Sequence, residues 1–165
     1  MAARSDVIEP KALPELLITR VFDAPRSLVF KVWTEPQHMV RWCAPHGFAI
    51  THSEGDLRPG GAWRSCMVSP DGLEFGVGGV YREIVPPERL VFTHVWDETN
   101  GQNGQETLVT LAFADFEERK TKMYFRQQFF LTESSRDGHE GGWSQSFERL
   151  SDYLNTLQQE QANHD

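Results

Sequence analysis

Cysteine is scarce in this chain, and long apolar runs are missing. The two cysteines, Cys43 and Cys66, stand in unrelated contexts, with no C-x-x-C pair and no paired histidines nearby. This pattern excludes a zinc knuckle or a redox motif and predicts free buried thiols. Nowhere do about 18 apolar residues run together, and residues 1–11 carry charges instead of an apolar leader segment. We therefore expect a cytoplasmic protein that does not insert stably into membranes.

Positive charge is scarce too. The 165 residues include 16 Lys and Arg against 24 Asp and Glu, a formal net charge of −8, and no basic run could neutralise successive phosphates. Neither a G-x-S-x-G nucleophile motif nor a G-x-x-x-x-G-K phosphate loop occurs, and His46 and His52 lack the spacing of metal ligands. We therefore expect no nucleic-acid partner, no cofactor, no metal ion and no catalytic group of a known motif.

Aromatic residues, in contrast, are abundant. The chain contains 11 Phe, 5 Trp and 3 Tyr within an apolar share of 39%. Its length is close to the usual single-domain size of roughly 150 residues. Large rings, more than aliphatic side chains, must therefore fill or line the interior, and such an interior favours a pocket.

Alternation of apolar and polar residues predicts a sheet made of hairpins. Turn pairs such as Asp71-Gly72 and Asn100-Gly101 separate the alternating segments and favour the positive φ angles that tight hairpins need. The spacing predicts seven strands, at 16–22, 48–56, 62–68, 74–84, 89–96, 106–116 and 120–131.

Three other segments have helical periodicity. Two short helices are predicted after the first strand, one from Arg26 and one from Pro36. A helix over 142–157 carries one apolar stripe, formed by Trp143, Phe147, Leu150, Leu154 and Leu157. Such a helix must pack on the concave face of the sheet. The prediction is an α+β helix-grip fold: a seven-stranded curved antiparallel sheet around a long C-terminal helix, with two short helices after strand 1.

The predicted domain covers residues 15–158. A disordered or loosely ordered tail, 1–14, precedes it, and a polar tail, 159–165, follows it. Repeats, linkers and low-complexity segments do not interrupt this range.

Short sequence blocks follow these elements in a fixed order: Ala24-Pro25, Trp33-Thr34-Glu35-Pro36, Arg41-Trp42, Asp56 to Gly61, Tyr81 to Thr93, Gly141-Gly142-Trp143 and Leu150. In this order they resemble the START-like superfamily, and within it the group similar to the C-terminal domain of the activator of the heat-shock-protein-90 ATPase. The resemblance implies a helix-grip fold with a central cavity. Members of the superfamily include lipid carriers, hormone binders, polyketide cyclases and co-chaperones, so the fold alone does not choose an activity.

Strand alternation also assigns faces, because residues two apart share a side of the sheet. A cavity lined by rings with a few polar groups is predicted on the concave side, and a closed packed core is the alternative. The predicted ligand-binding residues are Trp33, Trp42, Trp63, Ser65, Met67, Phe92, His94, Trp96, Val109, Leu111, Met123, Phe125, Gln127, Trp143 and Phe147.

Two local questions stay open. In strand 74–84, Tyr81 with Glu83 and Val80 with Ile84 compete for the interior, and the glycine-rich run 76–80 predicts a β-bulge or a sharp bend. His94 is interpreted as a pocket-lining histidine, with a general base as the alternative.

Three functions are compatible with these patterns. The leading hypothesis is a protein, monomeric or homodimeric, that binds a small apolar or amphipathic molecule. The second is a co-chaperone of the stress response, as the resemblance implies, although the net charge of −8 disfavours attraction to an acidic chaperone surface. The third is a cofactor-independent cyclase or hydrolase that uses the same cavity.

Truncation before Gly141 tests the predicted architecture. The apolar stripe buries large side chains at roughly 1.5–3 kcal/mol each, against a typical stability margin of about 5–15 kcal/mol. The truncated chain should bind hydrophobic dyes and show no cooperative transition in calorimetry, because the concave face is uncovered. A truncated chain that stays monomeric and melts near the full-length temperature would contradict the packing of the helix on the sheet.

Overall fold

The computed structural model of the protein describes residues 12–164, so most of the predicted N-terminal tail, 1–11, lies outside the described residues. The predicted α+β helix-grip architecture is confirmed. The elements are β1 (Leu16–Phe22), α1 (Arg26–Thr34), α2 (Pro36–Met39), β2 (Ala49–Gly55), β3 (Ala62–Val68), β4 (Glu74–Val85), β5 (Arg89–Trp96), β6 (Glu106–Phe116), β7 (Lys120–Gln128) and α3 (Glu133–His164).

The seven strands form one antiparallel sheet in the order β1-β7-β6-β5-β4-β3-β2. Strands β2 to β7 follow one another as hairpins, whereas β1 pairs with β7, with Leu16 opposite Gln127 and Phe22 opposite Thr121. Because β1 and β2 lie at opposite edges, the chain between them must cross the concave face. Helices α1 and α2 make this crossing: α1 contacts β6 and β7, and α2 contacts β2.

The packed core lies over β1, β7 and β6. The middle of α3 buries its apolar stripe there, as predicted, and α1 packs beside it. The large side chains of this core are almost fully buried: Leu16, Phe22, Leu111, Met123, Phe125, Phe147, Leu150 and Leu154. Over β3, β4 and β5 the concave face is less completely filled, and this difference between the two halves positions the site.

Helix α3 is longer at both ends than its periodicity indicates. It begins at Glu133 rather than near residue 142, and it continues to His164, so the polar segment 159–164 belongs to the helix. Strand β7 ends at Gln128, before the predicted 131, because Phe129 adopts a left-handed φ of 77°. The first turns of α3 are held by tertiary contacts: the His139 ring packs on Phe130, with centroids 4.9 Å apart. Packing there outweighs the low helix propensity of a glycine-rich segment.

The question about β4 has a mixed answer. Tyr81 and Ile84 both pack against the core although they are three residues apart, because the register with β5 shifts between Tyr81 and Glu83. The irregularity therefore follows the glycine-rich run instead of lying within it. Gly79 in that run serves a different purpose: a Cβ there would lie 1.9 Å from the carbonyl oxygen of Thr93, so glycine permits the close approach of β4 and β5.

Alanine substitutions at two glycines should have opposite effects on stability. Gly79→Ala forces a backbone clash and should lower the free energy of unfolding by at least about 2 kcal/mol. Gly141 occupies an exposed position of α3, and a Cβ there would meet open space. Gly141→Ala should therefore raise the free energy of unfolding by up to about 1 kcal/mol through helix propensity. Urea denaturation measures both values. An unchanged free energy of unfolding in Gly79→Ala would mean that β4 and β5 do not approach each other as closely as described.

Candidate functional site

A cavity of about 370 Å³ lies between the sheet and the first half of α3. Its floor comes from β3, β4 and β5, its inner wall from Trp33 of α1, and its outer wall from the segment 43–48 that joins α2 to β2. The first turns of α3, from Ser134 to Ser146, cover it. The cavity thus occupies the half of the concave face that the packed core leaves free.

More than half of the predicted ligand-binding residues line this cavity. They come from α1, from the inward faces of β3 and β5, and from α3: Trp33, Trp63, Ser65, Met67, Phe92, His94, Trp96 and Trp143. On β3 and β5 these residues lie on the inward face that alternation assigns to them.

The other predicted residues lie in the packed core instead of the cavity wall. Each is at most 1% exposed, and none borders the cavity: Trp42, Val109, Leu111, Met123, Phe125, Gln127 and Phe147. Those on β6 and β7 point inward as expected, but helices α1 and α3 pack directly on them. Trp42 is turned into the protein by the hydrogen bond that its Nε1 donates to the carbonyl of Val32, 3.0 Å away.

Several wall residues were not predicted. Phe75 and Tyr81 come from β4, whose inward face the sequence left undecided. Phe48 was predicted as the first residue of a strand, but it lies just before β2, in the segment that forms the outer wall. His139 comes from the first turns of α3, which the sequence pattern does not show as helix. The alternation of β4 up to Tyr81 is the signal that could have identified two of them.

A stack of three rings separates the cavity from the packed core. Trp33 and Trp143 have centroids 5.9 Å apart at an interplanar angle of 30°, and Trp143 and Phe147 have centroids 5.6 Å apart at 28°. Trp33 and Trp143 border the cavity, whereas Phe147 is buried behind them. The three stacked rings form a continuous wall between α1 and α3. Within residues 12–164, the buried Nε1 of Trp33 has no hydrogen-bond partner.

A chain of hydrogen bonds behind the wall fixes Trp143. Its Nε1 donates to Oε1 of Gln127 at 2.9 Å, and Nε2 of Gln127 donates to the Thr107 hydroxyl at 2.8 Å. That hydroxyl in turn donates to the carbonyl of His94 at 3.2 Å. Gln127 does not line the cavity, but it positions a ring that does. Its full burial is tolerated because both ends of its amide are paired.

The two histidines of the wall are neutral. Trp96 Nε1 donates to Nε2 of His139 at 2.9 Å, so Nε2 carries no proton, and Nδ1 donates to the carbonyl of Ser135 at 2.7 Å. Burial lowers the pKa of His139. Burial, reinforced by repulsion from His139, lowers the pKa of His94 to about 3.

The other titratable groups of the wall are uncharged as well. Burial raises the pKa of the Cys43 thiol to about 12, although the charge of Arg149 opposes the shift. Burial also raises the pKa of the Tyr81 hydroxyl to about 12. A thiol this hard to ionise is a poor nucleophile at neutral pH.

The outer wall is fastened to α3 by side chains of that helix. Arg149 Nη1 donates to the carbonyls of Ala44 and Pro45 at 3.0 Å each and to that of Phe48 at 3.1 Å. His46 pairs with Glu148 at 2.6 Å on the exposed side. These contacts hold the segment 43–48 over the cavity without any regular secondary structure of its own.

A second, smaller cavity of about 240 Å³ adjoins the first. His94, Trp96 and His139 are among the residues that the two share, and the smaller one continues toward the β5–β6 loop, past Asn103 and Gln105. Its wall is richer in amide and hydroxyl groups. The cavities together form a site with an apolar compartment and a polar one.

The described part of the chain lacks two other kinds of feature. In it, no three side chains of His, Cys, Asp or Glu come close enough to hold a metal ion. None of the helices in residues 12–164 is long and apolar enough to cross a membrane.

Comparison with known proteins gives one family and many structural relatives. The model of the family described as "Activator of Hsp90 ATPase homolog 1-like protein" matches residues 23–155. A Chromobacterium violaceum structure is 25% identical with a TM-score of 0.78, covering 85% of this chain and 96% of that chain. The AHSA1 protein of Silicibacter pomeroyi is 22% identical with a TM-score of 0.77, covering 87% and 99%. A Rhizobium leguminosarum structure is 26% identical with a TM-score of 0.72, covering 87% and 95%. The comparison with curated proteins gave no match.

Alanine substitutions of two tryptophans distinguish wall from core. Trp42→Ala removes a fully buried ring and should lower the free energy of unfolding by about 3–5 kcal/mol. Trp63→Ala should lower the free energy of unfolding by less, because one side of the Trp63 ring already faces the cavity. Thermal and urea denaturation give both values. Equal losses for the two variants would indicate that the cavity is collapsed in solution.

Proposed function

The chain belongs to the family of Activator of Hsp90 ATPase homolog 1-like proteins, and from this premise we propose that it binds a small apolar or amphipathic molecule in its central cavity. The observation that carries the proposal is the cavity of about 370 Å³. Its volume lies within the range of roughly 300–1,000 Å³ that small-molecule sites occupy, and its wall combines many rings with few polar groups.

The preorganisation of the wall supports this proposal. The indole N–H groups of Trp63, Trp96 and Trp143 are all hydrogen-bonded to protein, at 3.0, 2.9 and 2.9 Å. Rings held in this way cannot rotate freely to fill the space beside them. A ligand therefore meets a surface that is already ordered, which reduces the entropy cost of binding.

A catalytic function is less well supported than binding. His94 is the obvious candidate for a general base, but a pKa lowered to about 3 makes it a weak one. Within residues 12–164, the wall offers it no carboxylate that could orient its ring or stabilise its charged form. We therefore propose binding ahead of a cyclase or hydrolase activity.

Chaperone regulation is the second candidate, and the description of the matching family favours it. The measurement is the ATPase rate of the chaperone with and without this protein, and an unchanged rate counts against the candidate. For either function the proposed location is the cytoplasm, in keeping with the free thiols of Cys43 and Cys66.

A thermal-shift screen tests ligand binding. With fatty acids, sterols and aromatic polyketides as probes, a ligand at about 100 times its Kd should raise the melting temperature by about 5 °C or more. Ser65→Trp places a large ring in the wall and should abolish the shift, whereas Ser27→Trp, at an exposed position of α1 outside the cavity, should preserve it.

Two results would contradict the proposal. One is a screen in which no probe changes the melting temperature of the unmodified protein. The other is an equal shift in the Ser65→Trp and Ser27→Trp variants, which would place the binding outside the cavity.

A further inference from the structure

We propose that the cavity selects uncharged aromatic molecules carrying a hydrogen-bonding group, and that it rejects carboxylates and ammonium ions built on the same ring. The inference rests on the proposed function, because it names the class of ligand that the same site takes. It goes further by dividing amphipathic ligands into a class that is bound and two classes that are excluded.

The first argument is the charge of the wall. Neither cavity, as far as residues 12–164 define it, is lined by Asp, Glu, Lys or Arg. This is unusual for a chain in which about a quarter of the residues are charged. An ionised group inside such a wall loses its hydration without gaining an opposite charge, and this loss outweighs the gain from burying its ring.

Two arginines on the surrounding elements already have partners. Arg149 of α3 donates to the three backbone carbonyls of the outer wall. Arg64 of β3 forms a bidentate pair with Asp97, with Nη1 3.0 Å from Oδ1. Turning either guanidinium toward a bound carboxylate would leave those oxygens without their donors. The wall therefore cannot supply a cation without losing existing hydrogen bonds.

The second argument is the unused hydrogen-bonding capacity at the boundary of the two compartments. Within residues 12–164, the ring nitrogens of His94 and the hydroxyl of Ser65 make no hydrogen bond with another residue, although both side chains are at least nine-tenths buried. A neutral imidazole offers one donor and one acceptor, and a serine hydroxyl offers both. This set matches a ligand hydroxyl or carbonyl, which needs no charge to be satisfied.

The pKa of His94 is consistent with this assignment. Burial is the main cause of its low value, and the neighbouring His139 ring adds to it. Only a protonated imidazole would compensate the charge of a bound carboxylate, and that form is disfavoured here throughout the neutral range. The histidine thus remains a neutral hydrogen-bonding group.

The third argument is the ring geometry around His94. The rings of Trp63 and Trp143 lie with centroids 6.0 Å from it, and that of Trp96 lies at 5.4 Å. Aromatic side chains at this spacing offer both faces and edges to a planar guest. An aromatic ligand therefore places its ring in the apolar compartment and its polar group beside His94.

A series of probes with one ring system tests the proposal. The probes are naphthalene, 2-naphthol, 2-naphthoate and 2-naphthylmethylammonium, titrated calorimetrically into the full chain at neutral pH. We expect 2-naphthol to bind tightest and both ions to bind at least about tenfold more weakly. Binding of 2-naphthoate as tight as that of 2-naphthol would overturn the proposal while leaving the proposed function intact. Failure of all four probes to bind would also overturn the proposal, and the thermal-shift screen with fatty acids and sterols would then decide the proposed function separately.

Variants identify the hydrogen-bonding group. His94→Phe should weaken 2-naphthol binding by about two- to tenfold, the effect of one neutral hydrogen bond, and leave naphthalene binding unchanged within about twofold. His94→Gln should restore part of the loss. His52→Phe, on the exposed face of β2 outside the cavity, is the matched control and should leave both affinities unchanged. If both probes respond equally to His94→Phe, the histidine is only a packing group and the assignment is wrong.

Ser65→Ala provides a second test that does not depend on the folding of the His94 variants. It should weaken 2-naphthol binding and leave naphthalene binding unchanged. If this variant binds 2-naphthol with unchanged affinity, and the unmodified protein prefers 2-naphthol to 2-naphthoate, the polar group of the ligand is assigned to His94 alone.

Discussion

The contact between Trp33 and Trp143 is the interaction on which the rest of the structure depends. It joins α1 to α3, the two elements that cover the concave face, and it continues through Phe147 into the packed core. The hydrogen bond from Trp143 to Gln127 anchors the stack on β7. Because large planar rings meet here with little room to adjust, the space beyond them stays open. One side of the stack is therefore a solid core, and the other side is the site.

The strands were predictable because their signals are local. Alternation defines each strand, and the turn pairs between strands need backbone conformations that few residues adopt. The start of α3 was not predictable in this way. Gly138, Gly141 and Gly142 weaken helix propensity there, and His139 holds the turn by contacts with residues of β5 and of the segment after β7. Such contacts leave no periodic pattern in the sequence.

The site was predictable to a smaller extent, for a related reason. Alternation tells which side chains point to the concave face, as it does for Phe92 and Leu111 alike. It does not tell which part of that face a helix covers. Leu111 lies under the packed helices and Phe92 beside the cavity, and this distinction arises from the path of α1 and α2 across the sheet. The closing segment 43–48 is likewise held by Arg149, a residue about a hundred positions away in the chain.

The distribution of tryptophan gives the protein an optical property. Four of its five indoles border the cavity, and the fifth, Trp42, lies with its ring centroid 4.7 Å from that of Trp33. Nearly all of the near-ultraviolet emission of the chain therefore originates within a few ångströms of one compartment. A guest that absorbs in the emission band or quenches indoles changes the whole signal at once. The intrinsic fluorescence of the unlabelled protein thus reports directly whether the compartment is empty or filled.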